Sequence, residues 1–128
     1  VVEDIQENIS INSYYNYLSQ VILSILQNSI YFLKHRNITA PIISVSIKEI
    51  NGNIQMKFED NAGGIDKDII KNIFDYNFSQ RDKSDRSTGL GLYISKLIIE
   101  DKLHGKIEAV NTQKGVSFSI SFSSEKED

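Results

Sequence analysis

The chain has 128 residues, 40% hydrophobic and 24% charged, a size and balance that suit one soluble globular domain with a real core. A net charge of −3 argues against nucleic acid as a main partner, and the lack of cysteine excludes disulfides and thiolate metal sites. No apolar run reaches the roughly 18 residues of a membrane span, and the acidic N-terminus lacks a signal-peptide layout, so no direct membrane insertion is expected.

Taken in order, Val1 to Asn8 is acidic and reads as frayed, and the first residue, Val1, points to a piece of a longer protein. Ile9-Ser10-Ile11 reads as a short edge strand. Leu18, Val21, Ile22, Ile25, Leu26, Ile30 and Leu33 recur at three and four, which predicts a helix from about Tyr14 to Arg36. Pro41 keeps the next segment out of that helix. Ile43, Val45 and Ile47 alternate with Ser44, Ser46 and Lys48 as a strand, and Asn51-Gly52 then signals a hairpin. Its partner runs to Asp60, with Ile54, Met56 and Phe58 on one face.

After the next glycines, Asp66 reads as the N-cap of a short helix, with Ile65 and Ile70 as a hydrophobic staple. From Asn77 to Thr88 only Phe78 is strongly apolar, which predicts a mobile loop. Gly89 opens a third helix with Leu90, Ile94, Leu97 and Ile98 on one face, and Gly105 is its expected C-cap. Strands follow at Lys106 to Asn111 and Val116 to Phe122, the second with a serine face. The predicted architecture is an α/β two-layer sandwich: a mixed, mostly antiparallel sheet covered on one face by about three helices.

Three stretches carry candidate chemistry. Period two puts Asp60 on the apolar face of its strand, where a carboxylate is costly unless a donor meets it. Asp60-Asn61-Ala62-Gly63-Gly64-Ile65 therefore reads either as a base-recognising carboxylate with a close backbone turn, or as an acidic strand end followed by a flexible turn. Asn28 lies with Ser24, Tyr31 and His35 on a polar stripe beside the apolar face of the first helix. It offers an oxygen to Mg²⁺ or a hydrogen bond to a neighbouring element. Ser87-Thr88-Gly89-Leu90-Gly91-Leu92 is a glycine-rich helix start, which is either an anion site or a packing requirement.

In order and spacing, Asn28, Asp60 to Ile65, Ile73-Phe74-Asp75 with Phe78, and Ser87 to Leu92 resemble the N, G1, F and G2 boxes. These mark the catalytic, ATP-binding domain of sensor histidine kinases in the GHKL superfamily. The resemblance runs from about Leu18 to Phe122. It implies the ATP-binding sandwich of that family, Mg²⁺ held by Asn28, and the adenine amino group received by Asp60. It also implies nucleotide contacts along Ala62, Gly64 and Ile65, and phosphates at Thr88, Gly89, Leu90, Gly91 and Leu92. Residues 77 to 88 would be the ATP lid, with Arg81 at an often basic position.

The implied partners are a histidine phosphoacceptor and dimerisation domain of the same kinase and a downstream response regulator, with a cytoplasmic location for this piece. Ala62 and Ser87 stand where glycines are common, and Tyr31 where Lys is common. Ser24 stands where ATP-hydrolysing relatives carry a Glu base, which argues for transfer to an external nucleophile. Neither His35 nor His104 has an acceptor setting. A stand-alone serine kinase of the anti-sigma-factor type and a non-catalytic nucleotide-binding module are the alternatives.

Overall fold

A computed structural model describes residues 2–5, 15–76 and 91–123. Strand β1 (Val2–Ile5) is followed by helix α1 (Tyr15–His35), strands β2 (Ile43–Ile50) and β3 (Asn53–Asp60), and the single turn α2 (Lys67–Ile70). Helix α3 (Gly91–Leu97) continues as a π-helix (Ile98–Lys102), and strands β4 (Lys106–Asn111) and β5 (Val116–Ser123) complete the domain. The sheet order is β1-β2-β3-β5-β4. Only β1 and β2 are parallel; the other neighbours are antiparallel. The sandwich expected from the sequence is the one observed.

Local chemistry accounts for the joints. Asn51 and Gly52 have φ of 51° and 80°, the paired positive values of a type I′ hairpin turn. Helix α1 ends in a left-handed residue, Asn37, and the Ile38 N–H returns to the Leu33 carbonyl at 3.3 Å. Ile38 also packs on the small cluster of Leu33, Ile43 and Ala62, the apolar contact that accompanies this kind of helix end. Ile54, Met56 and Phe58 on β3 and Phe118 and Ile120 on β5 meet Val21 and Ile25 of α1 in the main core. Asp66 caps α2 by accepting from the Asp68 N–H at 2.8 Å, and Ile65 and Ile70 both reach the main core. Asp66→Ala should lower stability by about 1 kcal/mol, read as an earlier urea midpoint at unchanged slope.

Several sequence expectations need correction. The N-terminal stretch holds a strand, Val2–Ile5, where a frayed end is expected; hydrogen bonding to the free edge of β2 orders backbone whatever the side chains are. The strand expected at Ile9 to Ile11, the loop from Asn77 to Thr88 and the helix start at Gly89 lie outside the described residues. In α1, Ile30 is 43% exposed, while Asn28 and Ser29 turn inward.

After α3 the π-turn, with the Leu103 N–H on the Ile98 carbonyl at 3.1 Å, shifts the helix face. Leu97, expected on the apolar face, is consequently exposed, and Ile99 is fully buried. The left-handed residue at the end is His104, φ 52°, and not Gly105. Gly105 is there for space: a Cβ on it would collide with the Ser121 carbonyl and crowd Phe122.

Candidate functional site

Asp60 closes the alternation of β3 on its apolar face and is 8% exposed. Three donors meet its carboxylate. Oδ1 accepts from the Ala62 N–H at 3.1 Å and from the Val116 N–H at 3.3 Å, and Oδ2 accepts from the Ser29 hydroxyl at 3.1 Å. A carboxylate has about four acceptor positions, so capacity for one more donor remains. Ser29 is a site residue that the sequence reading missed. Its signal was present: Val21, Ile25, Ser29 and Leu33 are spaced by four, one inward line on α1.

The loop after Asp60 is held from several sides. Gly63 has φ +86°, a conformation glycine adopts without strain, and donates its N–H to the Lys114 carbonyl at 3.0 Å. The Asn61 side chain accepts from the Ile42 N–H at 2.9 Å and donates to the Ala40 carbonyl at 2.8 Å. Arg36 Nη1 donates to the carbonyls of Ala62 and Gly64, at 3.0 and 2.9 Å. Asn111 accepts from the Ile65 N–H at 2.8 Å and donates to the Ile65 carbonyl at 2.7 Å. The Ala62 and Ile65 side chains are both buried in core clusters, so these residues offer the loop their backbone. Gly115 abuts the other side of Asp60, where a Cβ would run into its carbonyl and Oδ1. Arg36, Asn111 and Gly115 carry no motif in the sequence; tertiary placement alone identifies them.

Along α1 the other predicted elements converge. Asn28 is 7% exposed, beside Ser29. A Cβ on Gly91 would stand 3.3 Å from Ser24 Oγ and 3.5 Å from Ser24 Cβ, so the start of α3 approaches α1 one turn before Asn28. The Ser95 hydroxyl bonds back to the Gly91 carbonyl at 2.8 Å, and Leu92 packs on the main core. Asp60 thus touches α1 at Ser29 and Gly91 borders it at Ser24. These points are about 7.5 Å apart along the axis at 1.5 Å per residue, and Asn28 lies between them. His35 is exposed and stacks on Tyr31, ring centroids 4.0 Å apart. Arg81, Thr88, Gly89 and Leu90 lie outside the described residues.

The residues present can accommodate a magnesium-bound nucleotide. Among the described residues no group of three His, Cys, Asp or Glu side chains is placed to hold an ion. Magnesium bound with a nucleotide takes one or two protein oxygens and completes its shell with phosphates and water, a demand a single Asn28 amide can meet. Asp60 would offer such a ligand a buried acceptor. Two surface grooves, one on the open sheet face around Lys57 and Ser119 and one around Tyr76 and Tyr93, include neither Asp60 nor Asn28.

Residues 14–126 match the model of the histidine kinase-, DNA gyrase B- and HSP90-like ATPase family. The chain is 37% identical over 101 residues to the sensor protein KdpD of Clostridium acetobutylicum, covering 77% of this chain and 11% of the relative. It is 34% identical over 104 residues to the C4-dicarboxylate transport sensor protein DctB of Rhizobium meliloti, covering 80% of this chain and 16% of the relative. The chain therefore spans only a small part of these curated relatives.

Among solved structures, the catalytic domain of histidine kinase ThkA shares the fold with a TM-score of 0.77 at 22% identity, covering 98% of this chain and 82% of that one. The mycobacterial sensor histidine kinase MprB does so with a TM-score of 0.73 at 17% identity, covering 95% and 82%. A family match across most of the chain, sensor proteins as curated relatives and histidine kinase catalytic domains as structural neighbours lead to one assignment. The chain belongs to the histidine kinase-, DNA gyrase B- and HSP90-like ATPase family.

Proposed function

We propose that this chain is the ATP-binding catalytic part of a longer sensor histidine kinase, which passes the γ-phosphoryl group of Mg-ATP to a histidine on a separate domain. The observation that carries the proposal is the Asp60 carboxylate, met by three donors with room for a fourth and set within one helical stretch of Asn28 and Gly91. Asp60 accepts the adenine amino group. Asn28 would hold the magnesium ion, which would supply positive charge to offset that of the phosphates during transfer. The start of α3, at Gly91 and Leu92, would border the phosphates; the phosphate contacts expected at Thr88, Gly89 and Leu90 and the lid expected at residues 77 to 88 with Arg81 lie outside the described residues.

The bond between the bridging oxygen and the γ-phosphorus breaks, ADP leaves with that oxygen, and the acceptor nitrogen takes the phosphoryl group. Ser24 cannot serve as a base for water, which favours transfer over hydrolysis and over the serine-kinase alternative.

The partners that follow are a histidine-bearing dimerisation domain and a response regulator. ThkA has been solved in complex with the response regulator TrrA. Among the described residues no helix is long and apolar enough to cross a membrane.

Incubation with γ-labelled ATP tests the reading. Alone, the chain should bind Mg-ATP and stay unlabelled; with a histidine-bearing acceptor domain in trans, acid-labile label should collect on that domain. Asn28→Ala should cut Mg-ATP affinity by about tenfold, the factor one lost charged contact represents. Label on serine would favour the serine-kinase class. ATP binding with no transfer would favour a regulatory module. Strong label on His35 or His104 would end the proposed division of labour.

A further inference from the structure

We infer that Arg36 and Asn111 are positioning residues for base recognition: two side chains from distant parts of the chain clamp the loop that holds the Asp60 carboxylate in place. The inference rests on the nucleotide reading of Asp60 and extends it to residues outside the family's motifs.

Arg36 follows the last residue of α1. Its guanidinium lies over the Phe32 ring, 4.9 Å from the centroid, which limits its rotation. From there Nη1 donates to the carbonyls of both Ala62 and Gly64. The Ala62 peptide faces two ways: its carbonyl is held by Arg36 and its N–H donates to Asp60 Oδ1. A shift of Arg36 is therefore passed through one residue to the carboxylate.

Asn111 ends β4 and reaches the other side of the loop. Its amide makes a reciprocal pair with the Ile65 N–H and carbonyl. The side chain replaces the next rung of a strand ladder and extends the sheet edge to the loop. Between the clamps Gly63 is pinned twice, its N–H to Lys114 and its Cα facing Arg36, where a Cβ would come within 3.1 Å of Nη1. Five loop residues, Asn61 to Ile65, thus have a backbone or side-chain bond to a distant part of the chain.

So much restraint on a surface loop exceeds what joining β3 to α2 requires. It suits a loop whose geometry must not change, because the direction of the Oδ2 lone pair separates an adenine amino group from a guanine carbonyl. Positioning, and not contact with the ligand, is the role assigned to both residues.

The test compares Arg36→Gln, Arg36→Lys, Asn111→Asp and the unaltered chain by titration with ATP and GTP, with thermal melting alongside. Arg36→Gln and Asn111→Asp should each weaken ATP by about tenfold, the factor one hydrogen bond represents, and should narrow the ATP-to-GTP ratio. Asn111→Asp keeps the shape and the acceptor but sets a carboxylate against the Ile65 carbonyl. Arg36→Lys still presents a donor to both carbonyls and should recover part of the loss. A loss of melting temperature with an unchanged base ratio in the folded variants would make these residues merely structural and overturn the inference. Unchanged ATP affinity in both variants, beside a clear loss in Asp60→Asn, would overturn it while sparing the nucleotide reading. An unaltered chain that binds neither nucleotide would remove both.

Discussion

Asp60→Asn should lower ATP affinity by about a hundredfold while leaving the domain folded. The carboxylate accepts from two backbone N–H groups through Oδ1 and from the Ser29 hydroxyl through Oδ2. An asparagine that keeps its oxygen on the backbone donors places its NH₂ where Oδ2 stood. Ser29 adapts by rotating its hydroxyl to accept, so the buried site stays satisfied and the fold survives. Adenine cannot adapt, because its amino group now meets a donor. One hydrogen bond to a charged group, worth about 1.5–3 kcal/mol, is lost and a donor–donor clash is added, which together approach the roughly 2.7 kcal/mol of a hundredfold change. Guanine presents a carbonyl at the same place and should gain relative to adenine. Calorimetric titration with ATP and GTP reads both effects; an unchanged preference would make Asp60 a structural residue only.

Asp60 was legible in the sequence because a strand has only two faces. Once Ile54, Met56 and Phe58 define the apolar one, the position of Asp60 follows, and all four are buried. A helix is less determinate. Reading α1 by its apolar residues assigns Ile30 to the core, although it is 43% exposed, and passes over Ser29, which is 2% exposed. The polar stripe containing Asn28 was still visible, because a buried amide at helical spacing interrupts an otherwise apolar side.

The π-turn was not legible. It follows from how Ile98, Ile99 and Leu103 fit the core together, and one inserted residue is enough to turn Leu97 outward while Ile99 is buried. The loop supports were not legible either. Arg36 and Asn111 act across 26 to 46 residues of sequence, and nothing local to either residue signals its partner. Sequence periodicity therefore located the carboxylate and the helix that faces it. The groups that hold the carboxylate still depend on tertiary contacts that no local pattern encodes.

The second large effect should come from Gly115→Ala, and Gly105 supplies its control. Both glycines precede or open strands and both are closed in by backbone. A Cβ at Gly115 would penetrate the Asp60 carbonyl and Oδ1, and one at Gly105 would penetrate the Ser121 carbonyl. Neither obstacle is the free end of a flexible side chain, so in each case a strand end or turn must move. Overpacking of this kind costs about 1–3 kcal/mol or somewhat more, within the roughly 5–15 kcal/mol that keeps a domain folded. The two variants should therefore lose comparable stability in urea.

Their effects on nucleotide should differ. Gly115→Ala pushes the turn away from Asp60, and with it the Val116 N–H that donates to Oδ1. The Gly63 N–H on Lys114 is strained by the same movement. The carboxylate loses its anchor, and ATP affinity in the folded protein should fall by at least about tenfold, as one displaced charged hydrogen bond implies. Gly105→Ala disturbs the junction of the π-helix with β4, at the end of β5 opposite to that anchor, and should leave the affinity of the folded protein within about twofold. Urea unfolding together with ATP titration at low temperature separates the two. Equal losses of affinity would show that Gly115 serves stability alone and that the turn before β5 does not set the position of Asp60.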